Sequence, residues 1–233
     1  MSSAHGAACV PVSARFDDTY FSVDDGWAET RDVFLGGNGL PKRWRDHRSA
    51  PFRIGELGFG TGLNFFATLL AWEASHETRC ASTLTFVSFE KYPLRRDEMS
   101  RALSVWPEIM DVAAPWLEAL EAVPISGDQD AIVRIDDCTL ELVVGDARER
   151  ISEMRTPVDA WYLDGFSPAK NPELWEDALL AELYARTVPG GTFSTYTAAG
   201  FVRRGLAHVG FEVSRVAGFG RKRERLQGFR PAA

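Results

Sequence analysis

The turn Glu56-Leu57-Gly58-Phe59-Gly60-Thr61-Gly62 constrains the fold of this 233-residue chain more than any other segment. An apolar run at Phe52–Leu57 leads into the turn and predicts a buried strand, and an apolar stripe with helical spacing follows it, at Leu63, Phe66, Ala67 and Leu70. Glycine has no Cβ, so such a turn is tight and lets a ligand approach the backbone N–H groups that open the helix. The segment therefore predicts a strand–turn–helix unit with a ligand at the turn. A glycine-rich turn without a ligand is the alternative.

Strand and helix patterns alternate along the rest of the chain. Strands are predicted at 84–89, 132–135, 140–144, Val158–Leu163, 192–197, 211–216 and 225–229. Helices are predicted at 94–120, with interruptions at Pro107 and Pro115, from Asn171 as N-cap with Pro172 at the first helical position, and at 201–209. This alternation predicts a doubly wound, mostly parallel α/β sheet with an antiparallel C-terminal strand. Such sheets bind ligands outside the carboxyl ends of their strands.

The residues around the turn discriminate between nucleotide ligands. A dinucleotide site needs glycine at position 63, where this chain has Leu63, and an acid about 20 residues further on, whereas the next acid at a strand end is Glu90, thirty residues past Gly60. A phosphate-binding loop needs Gly-Lys-Ser/Thr, which the turn does not contain. An acid two residues before the first glycine, here Glu56, is typical of S-adenosylmethionine sites. The sequence therefore favours a Rossmann-like class I methyltransferase with S-adenosyl-L-methionine as cofactor.

Acidic residues follow three successive predicted strands. We expect Glu56 to meet the ammonium of the cofactor directly or through water, Glu90 to accept both ribose hydroxyls, and Asp146 to accept from the adenine amino group. For each acid taken alone, a solvated surface position is the alternative. The other residues expected to bind the cofactor are Tyr20, Gly58, Gly60, Thr61, Gly62, Asn64, Lys91, Ala147 and Asp164.

The segment Trp161-Tyr162-Leu163-Asp164-Gly165-Phe166-Ser167-Pro168 leaves the fourth predicted strand and is the candidate catalytic segment. Methylation of an amine needs a neutral nitrogen in line with the methyl group, and the carboxylate of Asp164 can orient an amine and accept its proton. Phe166 either stacks on a planar base or packs in the core. Lys170 and Asn171 either contact phosphate or cap the next helix.

The charge distribution is uneven, with a basic C-terminal segment in a chain of net charge −7. Residues 201–225 contain seven basic and two acidic residues, a local charge of +5. Local patches rather than the total charge govern encounters with nucleic acid. We expect phosphate contacts from Arg203, Arg204, Arg221, Lys222 and Arg223, with solvated surface charge as the alternative for each.

Cysteine and histidine give no sign of a disulfide framework or a metal site. The three cysteines, Cys9, Cys80 and Cys138, form no C-x-x-C pair, and the four histidines lack ligand spacing. The sequence shows no secretory signal pattern and no apolar run of about 18 residues. We therefore expect no metal, no membrane association, free thiols and a cytoplasmic location.

Several long segments occur in a fixed order along the chain. Before the glycine turn they are Arg15-Phe16-Asp17-Asp18, Tyr20-Phe21-Ser22, Glu29-Thr30 and Val33-Phe34-Leu35-Gly36-Gly37. From the turn onward they are residues 58–65, Ser88-Phe89-Glu90-Lys91, Leu163-Asp164-Gly165-Phe166, residues 168–172, Thr197, residues 199–206 and residues 218–224. With these segments the chain resembles the bacterial tRNA 5-methylaminomethyl-2-thiouridine methyltransferases over about residues 15–228, and residues 121–138 match poorly.

The resemblance implies S-adenosylmethionine-dependent methylation of the exocyclic amine of 5-aminomethyl(-2-thio)uridine at the tRNA wobble position. The partner is then the tRNA anticodon stem-loop, and the protein is expected to be a monomer. Many members carry a second, FAD-dependent oxidase domain that produces the free amine. Because this chain ends at Ala233, we expect either a stand-alone methyltransferase working with a separate oxidase or part of a longer fused protein.

Two other functions are compatible with the sequence. A small-molecule or protein amine methyltransferase would use the same cofactor site, and an RNA-binding module without catalysis would need only the basic segment. Residues 1–50 are expected to form an N-terminal extension that packs on the cofactor site, and residues 51–233 the methyltransferase domain. Within that extension, Tyr20 and Glu29-Thr30 either close over the methionine end of the cofactor or pack against the sheet edge.

Overall fold

A mostly parallel sheet carries the fold in the computed structural model, which describes residues 12–13, 17–21, 26–47, 50–122, 129–220 and 222–232. The strands are β1 (Val12–Ser13), β2 (Asp18–Thr19), β3 (Phe52–Leu57), β4 (Leu84–Glu90), β5 (Ala131–Ile135), β6 (Cys138–Val144), β7 (Val158–Leu163), β8 (Thr187–Thr195), β9 (Glu212–Ala217) and β10 (Glu224–Phe229). β1 pairs with β2, and the other eight form one sheet in the order β5-β6-β4-β3-β7-β8-β10-β9. Only β5 and β10 run against the common direction of this sheet.

Helices cover both faces of the eight-stranded sheet. They are α1 (Gly26–Thr30), which continues as a π-helix at Arg31–Gly36, α2 (Lys42–Asp46), α3 (Leu63–Ala74), α4 (Arg96–Leu103), α5 (Pro107–Ala122), α6 (Ala147–Arg150), α7 (Asp177–Ala185) and α8 (Gly200–His208). Short 3-10 turns occupy Ile151–Glu153 and Pro172–Trp175. In the described ranges, no helix is long and apolar enough to cross a membrane.

The central strands are buried on both faces, which explains their nearly continuous apolar sequences. In β4, Phe86 belongs to the hydrophobic cluster that includes residues of α3 and α5, whereas Val87 and Phe89 belong to the cluster that includes residues of α7 and α8. The two clusters fix the register of the sheet, because a slip by one residue would exchange the two faces. The carboxyl ends of the parallel strands are thereby held at one edge.

The segment from α1 to α2 packs on the sheet and is tied to it by hydrogen bonds. Val33 is buried in the same cluster as α3, and its carbonyl accepts hydrogen bonds from Ser194 Oγ at 2.6 Å and Arg225 Nη1 at 3.1 Å. On α2, the half-buried guanidinium of Arg43 donates to the carbonyl of Asp159 at 3.0 Å and to Thr192 Oγ1 at 2.6 Å. These bonds join the segment to β7, β8 and β10.

The predicted fold class is confirmed, and the structure corrects three local expectations. Pro115 does not interrupt α5, because the carbonyl it leaves without a helical donor belongs to Asp111, which is exposed to water. Asn171 does not cap an α-helix: a 3-10 turn follows it without a side-chain capping bond, and α7 begins only at Asp177. The strand predicted at 192–197 is β8, which begins earlier, at Thr187, before Pro189-Gly190-Gly191, and has a register shift against β7.

Gly55 offers a test of how tightly the sheet packs. It lies in β3 opposite Trp161 of β7, where an added Cβ would overlap the indole ring. Trp161 is fully buried and donates from Nε1 to Thr187 Oγ1 at 3.0 Å, so it has no room to move. We expect Gly55→Ala to lower the free energy of unfolding by about 1–3 kcal/mol, measured by urea denaturation. The control is Gly200→Ala, where the new methyl group meets only the end of the exposed Arg204 side chain. Equal stability of Gly55→Ala and the wild type would contradict this packing.

Candidate active site

A cavity of about 980 Å³ opens at the carboxyl ends of the parallel strands. Its floor consists of the glycine turn after β3 and the residues that follow β4, β6 and β7. Its cover comes from both ends of the chain, with Tyr20, Glu29 and Thr30 from the N-terminal side and Lys222 from the C-terminal side. The volume is within the range of cofactor and ligand pockets, at about 300–1,000 Å³.

The glycine turn forms part of the floor of the cavity, and its backbone conformation requires glycine at two positions. Gly58 has φ of 90°, and a Cβ there would lie 2.5 Å from the carbonyl oxygen of Asp164. Gly62 has φ of 79° and is the N-cap of α3. Side chains at these two positions would strain the turn. Within the turn, the Gly60 N–H donates to Glu90 Oε2 at 3.0 Å, which joins the ends of β3 and β4.

Glu90 presents its carboxylate to the cavity in a fixed orientation. Oε2 accepts from the backbone of Gly60, and Oε1 accepts from the backbone of Tyr92 at 2.8 Å. Burial raises the pKa of Glu90, and these backbone hydrogen bonds act in the opposite direction by favouring the charged form. A carboxylate held in this way can accept hydrogen bonds from hydroxyl groups of a ligand.

Glu56 lies beneath the cavity rather than in its wall. It is fully buried and accepts hydrogen bonds from Ser88 Oγ at 2.6 Å and Asn64 Nδ2 at 2.9 Å. Burial raises the pKa of Glu56 well above its usual range. Asn64 lines the cavity and stands between Glu56 and the space that a ligand would occupy. The structure therefore separates Glu56 from the cavity by one side chain.

Asn64 also holds the candidate catalytic carboxylate. Its Nδ2 donates to Asp164 Oδ2 at 2.6 Å, and its Oδ1 accepts from Thr30 Oγ1 at 2.8 Å. Burial raises the pKa of Asp164 to about 7, against the lowering effect of the Asn64 hydrogen bond. A carboxyl group that titrates near neutral pH is suited to accept and release protons.

Asp146 is saturated with hydrogen bonds from this chain. It caps α6 by accepting from the Arg148 N–H, and it also accepts from the Arg148 guanidinium and from Lys91 Nζ at 2.8 Å. These cations hold the pKa of Asp146 well below its usual range. Two bonds at each oxygen use all the acceptor positions of a carboxylate. A bond from an adenine amino group to Asp146 would therefore require Lys91 or Arg148 to move, although Asp146, Lys91 and Ala147 all line the cavity.

On one side of the cavity, the N-terminal segment contacts the loop after β7. The rings of Tyr20 and Phe166 meet edge to face, with centroids 5.4 Å apart. Lys170 Nζ donates to the carbonyl of Asp17 and lies 3.6 Å from Asp18 Oδ1. Lys170 therefore anchors the N-terminal segment and does not cap the next helix.

Lys222 is separated from the arginines with which its sequence position groups it. It reaches into the mouth of the cavity, 2.5 Å from Glu29 Oε1, and its Nζ lies 4.2 Å from the centre of the Tyr196 ring. Arg204 and Arg223 are exposed and Arg203 is half-buried. Arg221 lies outside the described residues.

Two residues of the site did not emerge from the sequence. Ser88 is a polar residue between the apolar Val87 and Phe89 of β4, and that position was the only signal that its hydroxyl serves a buried partner. Tyr196 follows β8 and donates from its hydroxyl to the Gly165 carbonyl at 2.6 Å, a contact that depends on the order of the strands. Among the described residues, no group of His, Cys, Asp and Glu side chains could hold a metal ion.

Comparison with known sequences decides the family. The sequence model of a family described as S-adenosyl-L-methionine-dependent methyltransferase matches residues 111–231, more than half of the chain. The chain belongs to this methyltransferase family. S-adenosyl-L-methionine is therefore its cofactor, and the glycine turn, the Glu90 carboxylate and the size of the cavity fit a nucleoside-bearing ligand of this kind.

Individual relatives extend the comparison. The proteins named tRNA 5-methylaminomethyl-2-thiouridine biosynthesis bifunctional protein MnmC from Aeromonas hydrophila and Aeromonas salmonicida are each 47% identical to this methyltransferase over 96% of its chain. The chain spans 34% of the length of each. A crystal structure of MNMC2 from Aquifex aeolicus matches with a TM-score of 0.77 and 25% identity, covering 95% of this chain and 67% of that one.

The raised pKa of Asp164 predicts how the free energy of unfolding depends on pH. Because its pKa is about 7 in the folded protein and 3.8 in the reference state, the folded form binds a proton that the unfolded form has released between these values. The stabilisation is complete below the lower value and is lost as the pH rises through about 7. Asp164→Asn removes this loss. We expect the variant to unfold with a free energy higher than that of the wild type by about 1–2 kcal/mol at pH 8 and nearly equal to it at pH 4.

The measurement is urea denaturation of both proteins at several pH values. Asp111→Asn, which changes an exposed carboxylate on α5, is the matched control. A difference between Asp164→Asn and the wild type that stays constant from pH 4 to pH 8 would contradict the account of Asp164.

Proposed function

We propose that this methyltransferase N-methylates the 5-aminomethyl group of 5-aminomethyl(-2-thio)uridine at the tRNA wobble position, giving 5-methylaminomethyl(-2-thio)uridine. The observation that carries the proposal is the Asp164 carboxyl group, which faces the cavity and has a pKa of about 7. It supplies what amine methylation needs, a group that binds a cationic amine and can then take its proton. The names of the relatives from Aeromonas and Aquifex support the choice of this amine.

We assign the cofactor to the floor of the cavity. Glu90 would accept from its ribose hydroxyls, the backbone of the turn Gly58–Gly62 would lie against it, and Asn64 would bind near its methionine part. Glu56 would act through Asn64, and Asp146 would order Lys91 and Ala147 along the adenine side. Tyr20 and Thr61 complete the assigned set.

The chemistry is a direct displacement. S-adenosyl-L-methionine supplies an electrophilic methyl group on a sulfonium. Asp164 would orient the substrate ammonium and take one proton from it, which leaves a neutral amine with a free lone pair. With the cofactor bound on the floor of the cavity, that nitrogen could form the new N–C bond, and the electron pair of the C–S bond would remain on sulfur. The product leaves as a secondary ammonium ion.

We assign the acceptor base to the side of Phe166 and Tyr20. Bases of an anticodon loop are unpaired, so one of them can enter the cavity without melting a duplex. Phe166 would lie against the uracil ring, while Lys170 stays with the N-terminal segment. Arg203, Arg204 and Arg223 would contact backbone phosphates, as would Arg221, outside the described residues.

The wider setting is also part of the proposal. The free amine must come from an oxidase that removes a substituent from it, and the relatives named bifunctional support a fused or separate partner of that kind. We also propose that the protein is cytoplasmic and monomeric. The described segment 26–47 would act as a cover that closes the cofactor site.

Mass spectrometry of wobble nucleosides tests the function. Purified protein and S-adenosylmethionine are incubated with tRNA carrying 5-aminomethyl-2-thiouridine, and we expect a gain of one methyl group at that base. Asp164→Ala should lower the single-turnover rate by about 10²–10⁴-fold, with cofactor affinity in calorimetry nearly unchanged. Asp111→Ala is the control for a lost carboxylate. No methylation of this tRNA by the wild type, together with labelling of a small amine or a protein, would overturn the proposal.

The salt dependence of tRNA binding tests the basic surface. Arg204→Glu with Arg223→Glu should weaken binding and flatten the slope of log affinity against log salt by about 1–2, because each phosphate contact contributes about 0.7–0.9. Arg45→Glu with Arg155→Glu makes the same charge change near the amino ends of the parallel strands, away from the cavity. Arg45 adjoins Trp44, whose carbonyl accepts from residues that precede β4, and Arg155 precedes β7. An equal slope in both double variants would show that Arg204 and Arg223 do not contact the phosphates.

A further inference from the structure

An ion pair joins the two ends of the chain at the mouth of the cavity. Glu29 of α1 and Lys222, which precedes β10, lie 2.5 Å apart, and both line the cavity. The Glu29 side chain is 13% exposed and that of Lys222 is 44% exposed. Lys222 also lies over the ring of Tyr196, 4.2 Å from its centre. The ammonium group is therefore held between a carboxylate and an aromatic face.

The position of this pair is unfavourable if its role is only to stabilise the fold. A largely buried carboxylate loses hydration, and a partly exposed partner repays that loss incompletely. Apolar residues would close the cavity mouth with less loss. The pair therefore calls for an explanation in the chemistry of the cavity.

The charged groups near the pair are mostly acidic. Glu29 acts on Asp164 after β7 and on Tyr196 after β8, and Asp18 of β2, which also acts on Tyr196, lies 3.6 Å from its own cation, Lys170 Nζ. Tyr196 is neutral, because burial raises the pKa of its hydroxyl far above the usual range. Glu29 and Lys222 act on Asp164 in opposite directions. Without Lys222, two carboxylates would face the acceptor nitrogen with no cation to balance either of them.

We propose that Lys222 is a positioning residue that neutralises Glu29, so that the acceptor nitrogen is held in the cavity as a neutral amine. The inference rests on the proposed function, since it concerns the amine that this function methylates. An ammonium group beside an unpaired carboxylate keeps its proton and has no lone pair for attack. With Glu29 already paired, Asp164 remains the group that accepts the proton of the amine.

The pH dependence of single-turnover methyl transfer tests this inference. The assay runs from about pH 6 to about pH 10 with tRNA carrying 5-aminomethyl-2-thiouridine. Lys222→Met keeps an unbranched side chain that is one atom shorter and removes its charge. We expect the acid limb of its profile to move up by about one pH unit, with a rate near pH 7 lowered by about tenfold and recovered at high pH.

Three further variants separate charge balance from structure. Glu29→Gln combined with Lys222→Met removes both charges and should return the acid limb to its wild-type position, and Lys222→Arg should keep it there. Lys42→Met makes the same substitution at an exposed lysine paired with Asp46 on α2, and its profile should match the wild type. Calorimetry with S-adenosylmethionine is run on each variant.

The outcomes distinguish the inference from the function on which it rests. Three results would each overturn the inference while transfer by the wild type upholds the function. They are an unshifted acid limb in Lys222→Met, an equal loss of rate at every pH in that variant, and a double variant whose acid limb does not return to the wild-type position. A loss of cofactor affinity that accounts for the lost rate would show that the pair binds the cofactor instead. No transfer by the wild type would overturn both.

Discussion

The side chain of Asn64 makes the hydrogen bonds on which the site depends. Its amide group bonds to Glu56, Asp164 and Thr30, which come from β3, the end of β7 and the N-terminal segment. A buried amide with these partners has one orientation, because rotation would place its oxygen against two carboxyl groups. The floor of the cavity, the candidate catalytic carboxyl group and the cover are thereby held relative to one another.

Hydrogen bonds and ion pairs with different partners allow several acids to lie at one edge of the sheet. Parallel strands bring their carboxyl ends together, and the acids at these ends are kept apart in function by their different partners. Glu56 is buried and bonded, Asp146 is paired with cations, and Glu90 and Asp164 remain available to ligands. Lys222 supplies the charge that balances Glu29 at the mouth. Of these acids, Asp164 titrates near neutral pH because burial raises its pKa to about 7.

Local sequence predicted the parts of the fold that depend on local physics. Apolar runs located β3, β4 and β7, and the spacing of glycines located the turn, because backbone conformation and burial are written within a few residues. The orientation of Glu56 depends on Asn64 and Ser88, and the saturation of Asp146 depends in part on Lys91, and packing brings these partners close. The continuity of α5 through Pro115 depends on the exposure of one carbonyl, and the place of Lys222 depends on the hairpin of β9 and β10. None of these could be obtained from residue spacing.

The most direct measurement is a crystal structure of this methyltransferase with S-adenosylhomocysteine, the product that the cofactor leaves behind. We expect the ribose hydroxyls to donate to the Glu90 carboxylate and the sulfur to lie within reach of Asp164. The hydrogen bond between Asn64 and Asp164 should remain intact. Binding of the product away from the glycine turn, or a sulfur atom on the far side of the cavity from Asp164, would contradict the account.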